Sequence, residues 1–171
     1  MTDLVLRPFS LADEAEAVAA QAELAADDFT FLLEDFGTRP WAEYLARLAE
    51  IERGENLATD RVPAALLAAD VDGELVGRSS IRYELNDWLS KYGGHIGYGV
   101  RPAFRRRGYA TEILRQSLVI VAERGVAQAL VTCDDDNAAS AATIERCGGV
   151  LEGLIEGEGA PKRRYWVPTY A

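Results

Sequence analysis

Arg105-Arg106-Arg107-Gly108-Tyr109-Ala110-Thr111 lies between a glycine-bearing apolar run that ends at Pro102 and a segment whose apolar residues recur at helical spacing. The first N–H groups of a helix have no intrahelical partner, and the aligned peptide dipoles give them about half a positive charge. Gly108 permits a tight turn and close approach of a ligand to the backbone, and the small Ala110 keeps the mouth of the helix open. Phosphates held there would accept several N–H bonds, with charge-assisted bonds from the arginines. The stretch therefore reads as a pyrophosphate-binding loop opening a helix. No Gly-Lys-Ser/Thr follows, and the pattern is not G-x-G-x-x-G, so it is neither a P-loop nor a dinucleotide fingerprint. The plain alternative is a solvated arginine turn that closes a strand.

Outward from this loop, the pattern predicts a strand over 94–100 and a helix over 109–124. Ile113, Leu114, Ser117, Leu118 and Val121 fall near one face of that helix, and Gly125 is placed to end it. A strand follows over 126–133, then a short helix over 137–147 closed by Gly148-Gly149, then strands near 150–155 and 163–167. Upstream, 64–85 reads as two strands joined at Asp72-Gly73, a strong hairpin signal. The N-terminal part offers a short strand at 4–7 and a capping-box pattern at Ser10 and Asp13 before an Ala/Glu-rich helix. An irregular segment over 27–41 and a second helix over 41–53 complete it. The order β-α-α-β-β-β-α-β-α-β-β implies an α/β (mixed α+β) fold: a central mixed, mostly antiparallel sheet flanked by helices, in a single domain over 1–171.

Composition narrows the function. The 171 residues are 49% hydrophobic and 27% charged, with a formal net charge of −10, so the protein as a whole repels nucleic acid and anionic lipid. Yet Arg101, Arg105, Arg106, Arg107 and Arg115 crowd into one short stretch. A basic knot on an acidic body suits a small anionic ligand. No apolar run approaches the length of a membrane span, the N-terminus lacks a secretory pattern, and a cytoplasmic location is expected. Cys133 and Cys147 are too few for a disulfide framework or zinc site, so no metal is expected, and neither has a nearby His to make it a nucleophile.

Arg105-x-x-Gly108-x-Ala110, after Gly97-Tyr98-Gly99-Val100-Arg101-Pro102, resembles the Q/R-x-x-G-x-G/A signature of the GNAT superfamily of N-acetyltransferases. Asp136-Asn137-Ala138-Ala139-Ser140 and Ile144-Glu145-Arg146-Cys147-Gly148-Gly149 resemble that family's second conserved block, and the resemblance covers nearly the whole chain. It implies that acetyl-CoA is the co-substrate. Its pyrophosphate would lie on the amides of Arg106, Arg107, Gly108, Tyr109, Ala110 and Thr111, with Arg105 leading the signature. The pantetheine arm would pair with the strand end at Tyr98 and Val100 and contact Asn137, with Ser140 one turn on. Asn137 and Ser140 read equally as helix-start residues.

Acetyl transfer to an amine needs a neutral amine, a stabilised thioester oxygen and a departing thiolate that is protonated or tolerated. The family often places a base near the strand before the arginine loop, where His95 is the candidate, read also as structural or substrate-orienting, with Glu84 second. A family tyrosine that protonates the thiolate corresponds here to Ile144, which leaves Tyr165 or solvent. For the acceptor, Asp27, Asp28, Glu34 and Asp35 could attract an ammonium, and Phe29, Phe31, Phe36 or Trp41 could cover its apolar part. The basic tail from Lys162 to Arg164 could meet an acidic group. The expected partner is a small-molecule or peptide amine, with neither nucleic acid nor membrane, and a homodimer is among the states the family implies. A catalytically silent acyl-CoA-binding sensor and, less suited to the charge, a nucleic-acid module are the competing readings.

Overall fold

Asp72 and Gly73 both take positive φ, 53° and 87°, the two-residue turn whose twist matches that of paired strands. They fold β2 (Ala64–Val71) antiparallel onto β3 (Glu74–Arg82) in the computed structural model, which describes residues 3–34 and 36–170. β1 (Leu4–Pro8) pairs antiparallel with β2, and β4 (Ile96–Val100) pairs antiparallel with β3, giving the order β1-β2-β3-β4. The expected capping box at Ser10 and Asp13 is present, but it opens a 3-10 turn, Leu11–Asp13, that runs on into α1 (Glu14–Ala25). Asp13 is buried because the Arg7 guanidinium bridges it to Asp70, at 2.7 Å to each.

Alternation along the strands sends side chains to two cores. Leu66 and Ala68 of β2 pack with Leu24, Trp41 and Tyr44 of α1 and of α2 (Trp41–Glu52). Ala65 and Leu67, one residue out of phase, pack with Leu114 and Leu118 of α3 (Tyr109–Glu123). This second core also holds Ala129 and Val131 of β5 (Gln128–Asp134), Ile144 of α4 (Ala138–Arg146) and Tyr165 of β7 (Lys162–Pro168). β6 (Val150–Ile155) completes a second antiparallel sheet, order β5-β7-β6. The element order is the one the sequence implied. The sheet differs in that it is divided in two, with one shared core.

The two sheets meet at one residue pair. His95 N–H donates to Leu130 O at 2.7 Å, and Leu130 N–H donates to His95 Nδ1 at 2.9 Å, while His95 O accepts from Arg82 N–H at 2.8 Å. Just upstream, a π-helical turn at Leu89–Gly93 ends in Gly94, whose φ of 66° and ψ of −172° favour glycine. A Cβ on Gly94 would stand 2.4 Å from Leu130 O. β4 consequently starts at Ile96, two residues later than the sequence suggested. Beyond the junction β4 and β5 share no ladder, and a fork opens between them.

The junction predicts a pH dependence. Burial and the charge of Arg82 lower the His95 pKa, so the folded state holds the neutral ring whose Nδ1 accepts from Leu130. Above the unfolded value, about 6.5, both states are neutral and the bond contributes fully. As pH falls below it, the unfolded chain binds a proton first, and stability declines until the folded pKa is reached, by at most about 1.4 kcal/mol per pH unit. His95 is the only histidine in the chain, so urea midpoints between pH 7 and 5 isolate it. A flat wild-type profile, or an equal slope in His95→Ala, rejects the assignment.

Candidate active site

β4 uses its two edges differently. Arg82 N–H bonds His95 O, and Arg101 N–H bonds Val76 O. In an antiparallel pair a residue turns its N–H and C=O to the same side, so Gly97 and Gly99 serve β3, together with the C=O of His95 and the N–H of Arg101. The amides of Ile96, Tyr98 and Val100 face the fork instead. From this free edge the chain passes through a 3-10 turn, Pro102–Phe104, to the arginine loop, where Arg106 (φ 63°) and Gly108 (φ 83°) are left-handed. Gly108 takes the N-cap position of α3, and the N–H groups from Arg106 through Thr111 have no acceptor among the described residues. A Cβ on Gly108 would meet nothing within 4 Å.

These features line a cleft of about 870 Å³ together with the start of α4. Tyr98, Val100, Arg105, Arg106, Gly108, Tyr109, Ala110, Thr111, Asn137 and Ser140 all border it. Arg107 does not. Its guanidinium lies 5.6 Å from the centre of the Phe104 ring and donates to Ala103 O, because the left-handed Arg106 turns the following side chain away. Arg105 holds the cleft wall in place, donating to Val100 O and pairing with Asp27 at 2.7 Å. Asn137 Oδ1 caps α4 by accepting from Ser140 N–H, which leaves its amide NH₂ for the cleft. Arg146, absent from the sequence-derived set although it stands in the quoted second block, also lines the cleft and reaches Thr111 Oγ1 at 3.4 Å.

One hydroxyl pair was not legible in the sequence. Tyr98 Oη and Ser140 Oγ are 3.0 Å apart on opposite walls. Burial raises the Tyr98 pKa well above the usual tyrosine range, so the phenol keeps its proton at neutral pH.

Other expected site residues lie elsewhere. His95 is buried at the sheet junction with Nδ1 committed to Leu130. Its neutral tautomer then carries the proton on Nε2, which cannot act as a base. Glu84 is exposed beyond the end of β3 and does not border the cleft. Tyr165 is fully buried in the second core, donating to Glu145 Oε1 at 2.9 Å. Among the acceptor candidates, Phe29 borders the cleft, whereas Phe31 and Trp41 are core residues, and Trp41 Nε1–H donates to Ser10 O. Glu34 pairs with Arg61 at a separate cavity of about 350 Å³, and Asp35 lies outside the described residues. Lys162, Arg163 and Arg164 are paired with Asp134, Asp135 and Glu152, so the basic tail is already neutralised. Burial raises both cysteine thiols, which removes thiolate character. Among the described residues no helix is long and apolar enough to cross a membrane, and no cluster of potential ligands is arranged for a metal.

The fold has many solved counterparts. The chain superposes on the microcin self-immunity acetyltransferase MccE in complex with acetyl-CoA and AMP, with a TM-score of 0.69, 18% identity, and 96% and 92% of the two chains covered. For Mycobacterium smegmatis RimJ in complex with CoA-disulfide the values are 0.68, 22%, 96% and 81%. For the ribosomal-protein alpha-N-acetyltransferase RimL in complex with coenzyme A they are 0.70, 18%, 99% and 96%. At these identities the likeness establishes the fold. No curated protein sequence matches the chain. The sequence does match the acetyltransferase (GNAT) domain over residues 3–150, a span that contains every residue lining the cleft. With the fork, the open helix start and this match in agreement, the chain belongs to the GNAT acetyltransferase family.

Proposed function

We propose that the protein transfers an acetyl group from acetyl-CoA to a primary amine of a small molecule or peptide, by direct attack in a ternary complex. One observation carries this reading: the free amide edge of β4 leads without interruption to the open N–H groups of α3. An arm with amide groups, ending in a pyrophosphate, matches that sequence of donors and acceptors. The residues present fit acetyl-CoA on this ground. Tyr98 and Val100 would pair with the pantetheine amides. Arg106, Gly108, Tyr109, Ala110 and Thr111 would receive the pyrophosphate, and Arg146 would flank it. Bound there, acetyl-CoA supplies an acyl group activated as a thioester.

The chain's own contributions are position and a proton. The Tyr98–Ser140 pair sits within the cleft and holds a phenolic proton that a departing thiolate can take. Asp27 is the one carboxylate bordering the cleft among the described residues, and it is committed to Arg105. The amine is therefore deprotonated by water or on entry, without an assigned base.

Tyr98→Phe is expected to lower kcat about tenfold, the modest value fitting a thiolate that leaves tolerably unaided. Acetyl-CoA Kd, measured by calorimetry, should be unchanged. A variant with full kcat removes Tyr98 from the proton path. Tight acetyl-CoA binding with no turnover over a broad amine panel would overturn the enzymatic reading in favour of a silent acyl-CoA-binding domain.

A further inference from the structure

Arg78 and Arg82 stand four residues apart on β3 and so share a face. That face is the one presented by Gly97 and Gly99 of β4, opposite Tyr98. A Cβ on Gly97 would lie 3.6 Å from Arg82 Nη1 and 3.8 Å from Arg78 Nη1. Two guanidinium groups thus converge over a glycine that leaves room for them.

Neither has a carboxylate. Arg78 is 4% exposed, and its donors go to the neutral carbonyls of Thr30, Phe31 and Gly97. Burial, with the neighbouring charge of Arg82, pulls its pKa down to about 9. Arg82 is half-buried, and its guanidinium makes no hydrogen bond or ion pair among the described residues. Glu34, the acid whose charge acts on it, is paired with Arg61. Elsewhere in this acidic chain the half-buried arginines are neutralised: Arg7 by Asp13 and Asp70, Arg101 by Glu16 and Glu23. Two unneutralised, desolvated cations side by side are costly, and an anion between them offsets that cost.

The pair adjoins the cleft. The Phe29 ring, which borders the cleft, rests on Gly99 and lies 4.4 Å from the Arg78 guanidinium. Gly97 precedes Tyr98 by one strand position, about 3.3 Å. We infer that the acceptor is an amine bearing a carboxylate a few bonds away, its carboxylate received by Arg82 with Arg78 behind it and its amine directed along Phe29 to the fork. This rests on the acetyl-transfer reading. A free amino acid and an acidic residue at a peptide N-terminus supply the same chemistry.

The test compares amino acids with their amides and methyl esters, N-terminally acidic peptides with their amidated counterparts, and polyamines, by acetyl-CoA consumption. Carboxylate-bearing acceptors should be preferred about 10- to 100-fold in kcat/KM, the worth of a charge-assisted bond. Free amino acids outpacing the peptides would identify the small-molecule source, and the reverse the peptide. Arg82→Gln should raise acceptor KM by a similar factor and erase the preference, Arg82→Lys should recover part of it, and Kd for acetyl-CoA and Tm should hold. Equal use of amides, preference for polyamines, or an unchanged KM in Arg82→Gln would overturn it. If no acceptor turns over, the acetyl-transfer reading fails separately. The anion site is then decided by titrating glutamate into coenzyme-saturated protein and following the His95 ring resonances. A saturable shift in wild type, absent in Arg82→Gln, supports the site, and no shift in wild type refutes it.

Discussion

Gly108→Trp abolishes useful coenzyme affinity, raising the Kd for acetyl-CoA at least about a hundredfold, close to 3 kcal/mol, while the protein stays folded. The two effects separate because of where this glycine stands. Its φ of 83° is left-handed, so any side chain costs about 1–2 kcal/mol of backbone energy, a loss of a few degrees in Tm for a chain of this size. Space is the larger matter. Nothing lies within 4 Å of the Cβ position, so the side chain leaves the backbone without a clash at its first carbon, and the indole is expected to cover the mouth of α3, where Tyr109, Ala110 and Thr111 offer their N–H groups. Calorimetric titration beside a thermal melt decides it. Unchanged affinity means that the arginine loop is only a turn.

Gly94→Ala acts in the opposite manner, on the fold first. The backbone at φ 66° and ψ −172° lies in a region essentially confined to glycine, and the added methyl would stand 2.4 Å from the Leu130 carbonyl oxygen. That oxygen accepts the His95 N–H that fastens the two sheets. Backbone strain and overpacking together come to roughly 2–5 kcal/mol, or about 5–15 °C in Tm. Acetyl-CoA affinity should fall with it, since the fork opens from this point. Urea unfolding measures the first effect and calorimetry the second. A loss below about 1 kcal/mol means that the junction accommodates a side chain and does not fix the angle of the fork.

The elements legible in the sequence share a short range. Asp72-Gly73 defines a hairpin through two φ values, and the apolar repeat from Ile113 to Val121 defines the buried face of α3. The run from Arg105 to Thr111 specifies a helix start with open donors within seven residues. Each depends on dihedral preference, side-chain period or an unpaired backbone group, all properties of neighbours along the chain.

What misled the reading was long-range. Phe31 and Trp41 sit in or beside an irregular segment with no period to say which way they face, and packing with Phe9 and Tyr44 took them into the core. His95 has the chemistry of a base. The Leu130 amide, 35 residues away, made its Nδ1 a structural acceptor. Tyr98 meets Ser140 across 42 positions. Arg78 and Arg82 read as strand residues until β4 placed two glycines beneath them. The sequence alone determined the family, the order of elements and the open helix start after the arginine loop, because those rest on local geometry. Tertiary structure alone decided which polar side chains find partners and which are left facing the cleft or unpaired, because a partner's identity depends on how distant strands and helices come to rest against one another.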